Sequence, residues 1–342
     1  MKKTFNGLIM LFSVFFWIFF STILGFDSDN TENISYDHRF TFISPFANAG
    51  YWGSIAKGMT VADQTFGANT KFIGFLESDA DSMGQAIQAE ILSCPDGLIT
   101  AGSSHPPVVN ALKDAANAGI PVVLIDNDNR DTDRLCYIGA DNYEMGRLAG
   151  KIMTEGARQP LRAAVIIGSS SSENQQQRLK GFEDQLTLHP DCGVEAVLEA
   201  NYSLLTIREM LPSLLCDHPA INAIFCAEGY SSIITGEILD AMGPEYSHIR
   251  VVASGHTAEI LDHIASGRYH CTITQDCEIM GQLAVEILKN YKNGVPPKQD
   301  AIYLENICIS RENLDNAAPY ESEGVTWHLP NGNLLQTPHS EN

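Results

Sequence analysis

The chain has 342 residues, 44% of them hydrophobic and 18% charged, which is enough apolar material for two packed cores and too much for a disordered protein. Its formal net charge of −21 argues against a nucleic-acid partner, because neutralising phosphates requires clustered Lys and Arg. The acidic balance favours solubility and says little about fold.

Residues 1–26 read as a targeting segment. Lys2 and Lys3 precede an apolar run from Leu8 to Phe26, and Asp27 and Asp29 follow it, the charge order of an export signal. A run of about 19 residues stands at the border between a long signal core and a spanning helix. There is no Ala-x-Ala cleavage site and no cysteine just after the run, so an uncleaved membrane anchor is expected over a cleaved signal peptide. The remainder is then extracytoplasmic, in the periplasm or at the cell surface. Residues 27–37 form a polar linker.

From there short apolar runs alternate with amphipathic stretches. Phe40 to Ile43 is strand-like, and Trp52, Ile55, Met59, Ala62 and Phe66 recur at helical spacing. Lys71 to Leu76 is the next strand, Met83, Ile87 and Ile91 the next stripe. Gly97 to Thr100 follows as strand, then Val108, Leu112, Ala115 and Ala116 as helix. The run Val122 to Ile125 ends abruptly in four polar residues, Asp126 to Asn129, as a buried parallel strand does at its carboxyl end. Ligands sit at that edge of an α/β sheet.

Tyr137 to Gly139 is another short strand, and Asp141 and Asn142 lead from it into a helix, the place where the chain leaves one layer for another. The rhythm then restarts. Helix stripes at Met145, Leu148 and Ile152, at Leu179, Phe182 and Leu186, at Ile207 to Leu215, at Ile233 to Met242 and at Glu259 to Ser266 alternate with strands. Those strands are Ala163 to Ile167, Val194 to Leu198, Ala223 to Cys226, Val251 to Ala253 and Cys271 to Thr274. A last helix, Ile279 to Tyr291, stops at Asn293-Gly294 and Pro296-Pro297.

Two such series predict two three-layer α/β lobes joined by a multi-strand hinge. The first comprises residues 38–140 and 276–301, the second 141–275 and 302–314. Residues 315–342, rich in Asn, Gly, Pro, Ser and Glu, read as a flexible C-terminal tail.

Catalytic patterns are missing from the sequence. It has no nucleophile elbow, no Walker loop and no His-Glu-x-x-His, so neither catalysis nor a cofactor is expected. His256, His263 and His270 recur every seven residues but cross a predicted helix, turn and strand, and so cannot share one face. The eight cysteines lack the paired spacing of a zinc site. Several, such as Cys226 and Cys271, lie inside apolar runs and read as small buried hydrophobes, with a bridge between Cys271 and Cys277 the remaining alternative.

The order of elements carries a set of phrases: Gly119-Ile-Pro-Val-Val-Leu-Ile-Asp126, Ile138-Gly-Ala-Asp-Asn142, Arg178-Leu-Lys-Gly-Phe182, His218-Pro-Ala-Ile-Asn-Ala-Ile-Phe225 and Thr272-Ile-Thr-Gln275. Together, over residues 38 to 312, they resemble the ribose-type periplasmic sugar-binding proteins. That is the type I solute-binding fold shared with the effector domains of LacI-type repressors. An export segment stands where a repressor would carry its basic helix-turn-helix.

The resemblance implies a cleft between two lobes that closes on a small polar ligand. It places Tyr51 and Trp52 where paired aromatics sandwich a sugar ring and Tyr202 where an aromatic of the second lobe completes the stack. Asp126 and Gln275 match its polar ligand positions. Elsewhere the chain departs from the pattern: Asn127 and Gln176 replace arginines, Glu228 replaces an asparagine, and Gly255 with the neighbouring His256 replaces an aspartate. The implied function is reversible capture of a monosaccharide or related polyol by a monomer, for delivery to the permease of an ABC-type sugar transporter. The alternative is a ligand-loaded co-receptor for a membrane sensor histidine kinase.

Overall fold

A computed structural model describes residues 36–47, 50–77, 79–157, 159–320 and 325–336. The expected targeting segment and most of the linker lie outside the described residues. Among the described residues no helix is long and apolar enough to cross a membrane.

Short runs of branched residues make the strands, and their burial shows why. Val122–Ile125 is apolar at all four positions and buried at all four, as a strand covered on both faces must be. In chain order the first lobe is built from β1 (His38–Ser44), α1 (Tyr51–Phe66), β2 (Ala68–Gly74), α2 (Ala80–Leu92), β3 (Gly97–Ala101), α3 (Pro106–Asn117), β4 (Val122–Ile125) and β5 (Cys136–Ala140). The second follows with α4 (Asn142–Thr154), β6 (Arg162–Ile167), α5 (Glu173–Leu186), β7 (Gly193–Glu199), α6 (Leu204–Asp217), β8 (Ala223–Cys226), α7 (Gly229–Met242), β9 (Arg250–Ser254), α8 (Ala258–Ser266) and β10 (Cys271–Thr274). The chain then returns as α9 (Cys277–Lys292) and β11 (Ala301–Leu304), crosses to β12 (Ile307–Ser310), and ends in β13 (Thr326–His328) and β14 (Leu334–Gln336).

One sheet has the order β11-β5-β4-β3-β1-β2-β13-β14 and the other β12-β10-β9-β8-β6-β7. The pairings are parallel except β10 with β12 and β13 with β14. Each lobe has its own apolar interior. The first centres on Phe40, Phe42, Ile55 and Trp327, and the second has clusters on both faces of its sheet, around Phe182 and Phe225 on one side and Leu211 and Ile224 on the other.

Aspartates mark two of the crossings. Asp141 caps α4 by accepting from the Glu144 N–H, and Asp276 caps α9 by accepting from the Ile279 N–H. A third crossing joins β11 to β12, and a hydrogen-bonded chain ties all three. Gln275 Nε2 donates to Asn306 Oδ1 at 2.9 Å, and Asn306 Nδ2 donates to the Asp141 carbonyl at 3.3 Å.

The structure corrects two expectations about boundaries. Because β11 pairs in parallel with β5, residues 302–304 belong to the first lobe. The expected loose tail also folds in part: Trp327 is 0% exposed, packed on Phe42 and Phe72, and β13 pairs with β2. A large aromatic there buries enough surface to hold a strand of three residues that composition alone marks as loop. All eight cysteines are free thiols, Cys271 in β10 and Cys277 at the start of α9.

Candidate functional site

The first five strands of each lobe have the same order, β2-β1-β3-β4-β5 and β7-β6-β8-β9-β10. In a doubly wound sheet, the crevice opens at the carboxyl ends where this order reverses. The two crevices face each other, and the polar residues at the strand ends meet between them.

Asp126 follows β4 with φ 64°, a left-handed conformation uncommon for a side chain larger than glycine. Backbone bonds hold it there. Its N–H donates to the Ile138 carbonyl at 3.1 Å, and the Tyr137 hydroxyl donates to its own carbonyl at 2.9 Å. The turn aims the carboxylate at both lobes. Oδ1 accepts from the Tyr51 hydroxyl at 2.7 Å, at the start of α1, and Oδ2 accepts from Asn174 Nδ2 at 3.4 Å, in the first turn of α5. Asn127 makes a second bridge, donating to the Gly102 carbonyl at 2.7 Å and accepting from the Asn174 N–H at 3.1 Å. Ser104 donates to the Ser171 carbonyl at 2.9 Å, and Phe46 packs against Tyr202 and Tyr230.

Arg178 supplies the buried positive charge. It lies four residues after Asn174 on the same face of α5 and is 7% exposed, with Nε on Asn142 Oδ1 at 2.8 Å and Nη1 on the Ala227 carbonyl at 2.7 Å. Burial pushes the Asp126 and Glu228 carboxyls up, while the Arg178 charge pulls both back. The Tyr202 phenol is raised by burial to about 12, so it stays a neutral donor. His256 is driven down by burial to about 4, leaving a neutral imidazole whose Nδ1 lies 2.8 Å from Thr274 Oγ1.

The structure sorts the expected site residues. Tyr51, Asp126, Asn127, Tyr202 and His256 line the interlobe seam. Trp52 does not: it is 8% exposed and packs into the first core beside Phe42. Gln176 is exposed and its amide is tied to the Ser170 carbonyl, because it lies on the opposite face of α5 from Asn174 and Arg178. Glu228 is buried, but both carboxylate oxygens cap α7, accepting from the Tyr230 and Ser231 N–H groups at 2.6 Å each. Gln275 serves the hinge chain described above.

Three residues join the site that the sequence reading did not place there. Asn174 and Arg178 could have been found from their four-residue spacing on one helix face. Tyr320 gave no such signal, being a lone aromatic in a segment of turn-forming residues. A cavity of about 550 Å³ lies on the hinge side of the seam, lined by His256, Thr274, Gln275, Cys277 and Tyr320 among others. Carboxylate, amide and phenol groups set among aromatic faces suit a small polyhydroxylated molecule, whose hydroxyls need paired donors and acceptors and whose C–H faces need rings. Among the described residues no cluster of His, Cys, Asp and Glu could hold a metal ion.

A family model for the periplasmic binding protein domain matches residues 40–295. A D-apiose import binding protein of Paraburkholderia graminis is 22% identical over 228 residues, 65% of this chain and 72% of that one. GanP, a glucose-galactose binding protein from Geobacillus stearothermophilus, superposes with a TM-score of 0.77 at 24% identity over 81% of this chain and 98% of its own. A chain of the XylFII-LytSN complex superposes with a TM-score of 0.74 at 23% identity over 80% of this chain and 98% of its own. At these identities the structural matches speak to the fold.

Proposed function

The chain belongs to the periplasmic binding protein domain family, and from that premise we propose that it captures a small sugar or polyol outside the cytoplasmic membrane and presents it to an ABC-type permease. One observation carries the reading: Asp126 accepts hydrogen bonds from Tyr51 of one lobe and Asn174 of the other, so a single carboxylate spans the seam. Asn174 Oδ1 beside it is buried and has no hydrogen-bond partner in the structure, an acceptor that a ligand hydroxyl can satisfy. The names of the relatives, import binding proteins for apiose and for ribose, support a monosaccharide. Ligand bonds that form only with the lobes closed shift the population toward the closed form, and its outer surface is what a permease reads.

Thermal unfolding of the full chain against pentoses, hexoses, polyols and furanosyl compounds tests the proposal. A binder at a hundredfold excess over its Kd raises the midpoint by several degrees, on the order of 5 °C. No shift with any of them refutes the reading.

A second reading, a ligand-loaded co-receptor for a sensor histidine kinase, is supported by the likeness to a chain solved in complex with LytSN. Neighbouring genes separate the two roles. A permease and an ATPase favour transport, and a histidine kinase with a response regulator favours sensing.

A further inference from the structure

After β12 the chain crosses between the lobes a fourth time on its way to β13, and this last crossing brings Tyr320 to the seam. Its ring centre lies 5.8 Å from that of Tyr51 at 81°, an edge-to-face contact, and 3.8 Å from that of His256. Its hydroxyl is 3.2 Å from Thr274 Oγ1, and the residue lines one cavity with Cys277. Tyr51 and Cys277 belong to first-lobe helices; His256 and Thr274 belong to the second lobe. One glycine makes room for Tyr320: a Cβ on Gly255 would lie 3.3 Å from the Tyr320 hydroxyl, whereas one on Gly50 would meet its Cδ2 at an ordinary contact distance of 3.9 Å. Both are in the left-handed region, with φ 86° and 90°.

We propose that Tyr320 is an aromatic wall of the ligand cleft and the clasp between its lobes. The inference rests on the sugar-binding reading for its ligand, but not for the clasp. Because the Tyr51 hydroxyl bonds Asp126, the Tyr320 ring stands one side chain away from the central carboxylate, and it lines the cavity beside it together with His256, Thr274 and Cys277. One ring touches both lobes, so opening the cleft must break one set of its contacts. A wall in contact with the ligand discriminates by ligand size, whereas a merely structural tyrosine affects all ligands equally.

The full chain and its Tyr320→Ala, Tyr320→Leu and Tyr320→Phe variants are titrated with pentoses and hexoses. Alkylation of Cys277, resolved by peptide mass mapping from the exposed Cys94 and Cys216, is timed without sugar. In the Ala and Leu variants affinity falls by about tenfold or more and the pentose-to-hexose ranking changes. Cys277 is alkylated faster in both, and the Phe variant, which keeps the ring and loses the hydroxyl contact, lies between them and wild type in both measurements. Unchanged affinities and ranking in the Ala and Leu variants overturn the proposal, as does tighter binding, which would mark the ring as a plug. If no sugar binds the unaltered chain, the sugar reading falls, and the alkylation rate alone decides the clasp: an unchanged rate overturns it. The Leu variant keeps the test open if the Ala variant does not fold.

Discussion

Asp126 combines a left-handed backbone, a buried setting and bonds to both lobes, and each feature explains the others. A non-glycine residue there costs on the order of 1–3 kcal/mol, and the two backbone bonds to Ile138 and Tyr137 hold it in place. Asp126→Asn keeps the size and removes the charge, and hydrogen bonds to a charged acceptor contribute about 1.5–3 kcal/mol. Ligand affinity measured by calorimetry should therefore drop by roughly 10- to 100-fold. His256 predicts an acid effect. Its folded-state value of about 4 lies below the ordinary 6.5, so its share of stability is complete above pH 6.5 and is lost as the pH falls toward 4. Asp63, raised by burial to about 6, acts in the opposite sense, its contribution being lost as pH rises from 3.8 through 6. Unfolding midpoints of wild type minus His256→Gln, measured from pH 7 to 4.5, cancel Asp63 and should fall on acidification; a flat difference refutes the assignment. At this scale the sequence was legible by residue type and less so by direction. Successive helical residues point about 100° apart, so Tyr51 reaches the seam while Trp52 turns into the core, and Asn174 reaches it while Gln176 faces solvent.

Helix pairs carry those site residues, and both pairs are built alike. Each of the first two crossings is followed by the same phrase, Asp-x-x-x-Met-Gly-x-Leu-Ala, at Asp141 to Ala149 and at Asp276 to Ala284. The glycine of each phrase lies against a partner helix. A Cβ on Gly146 would collide with the Arg178 carbonyl, and one on Gly281 with the Ile55 carbonyl. The partners answer with Gly181 against the Tyr143 carbonyl and Gly58 against the Glu278 carbonyl. These contacts seat α1 and α5, whose first turns deliver Tyr51 and Asn174. Because the obstacle is backbone, no rotamer change relieves it, and Gly281→Ala should cost roughly 1–3 kcal/mol in denaturant unfolding. Gly181→Ala should cost as much, and it should also weaken ligand binding by displacing Asn174. Strand and helix alternation was readable because the helices, 9 to 16 residues long, display a period of 3.6, while strands between them such as β4 and β8 are short unbroken apolar runs buried on both faces. The short strands β13 and β14 were not readable, since three residues cannot display a period.

Across the whole molecule, the two sheets are linked by four passages of chain, three of them joined by the Gln275, Asn306 and Asp141 hydrogen bonds. The fourth ends in Trp327, fully buried against Phe42 and Phe72, and Trp327→Ala should cost about 3–5 kcal/mol by thermal or denaturant unfolding. A loss below about 0.5 kcal/mol would return the segment to the loose tail that its composition suggested. The topology has one more result, for anyone wishing to watch the molecule work. β1 and β14, the first and last of the described strands, lie in the same sheet, so within the described residues the second lobe is inserted between segments of the first. Fluorophores placed at His38 and Gln336 would ride on one rigid body and report no change in energy transfer when ligand closes the cleft. Moving one of them to the exposed turn at His189 to Asp191, beyond the end of α5, would place it on the moving body at the far end of a helix about 21 Å long. That pair should respond to ligand, which makes the inserted lobe, rather than the chain ends, the place to attach a reporter.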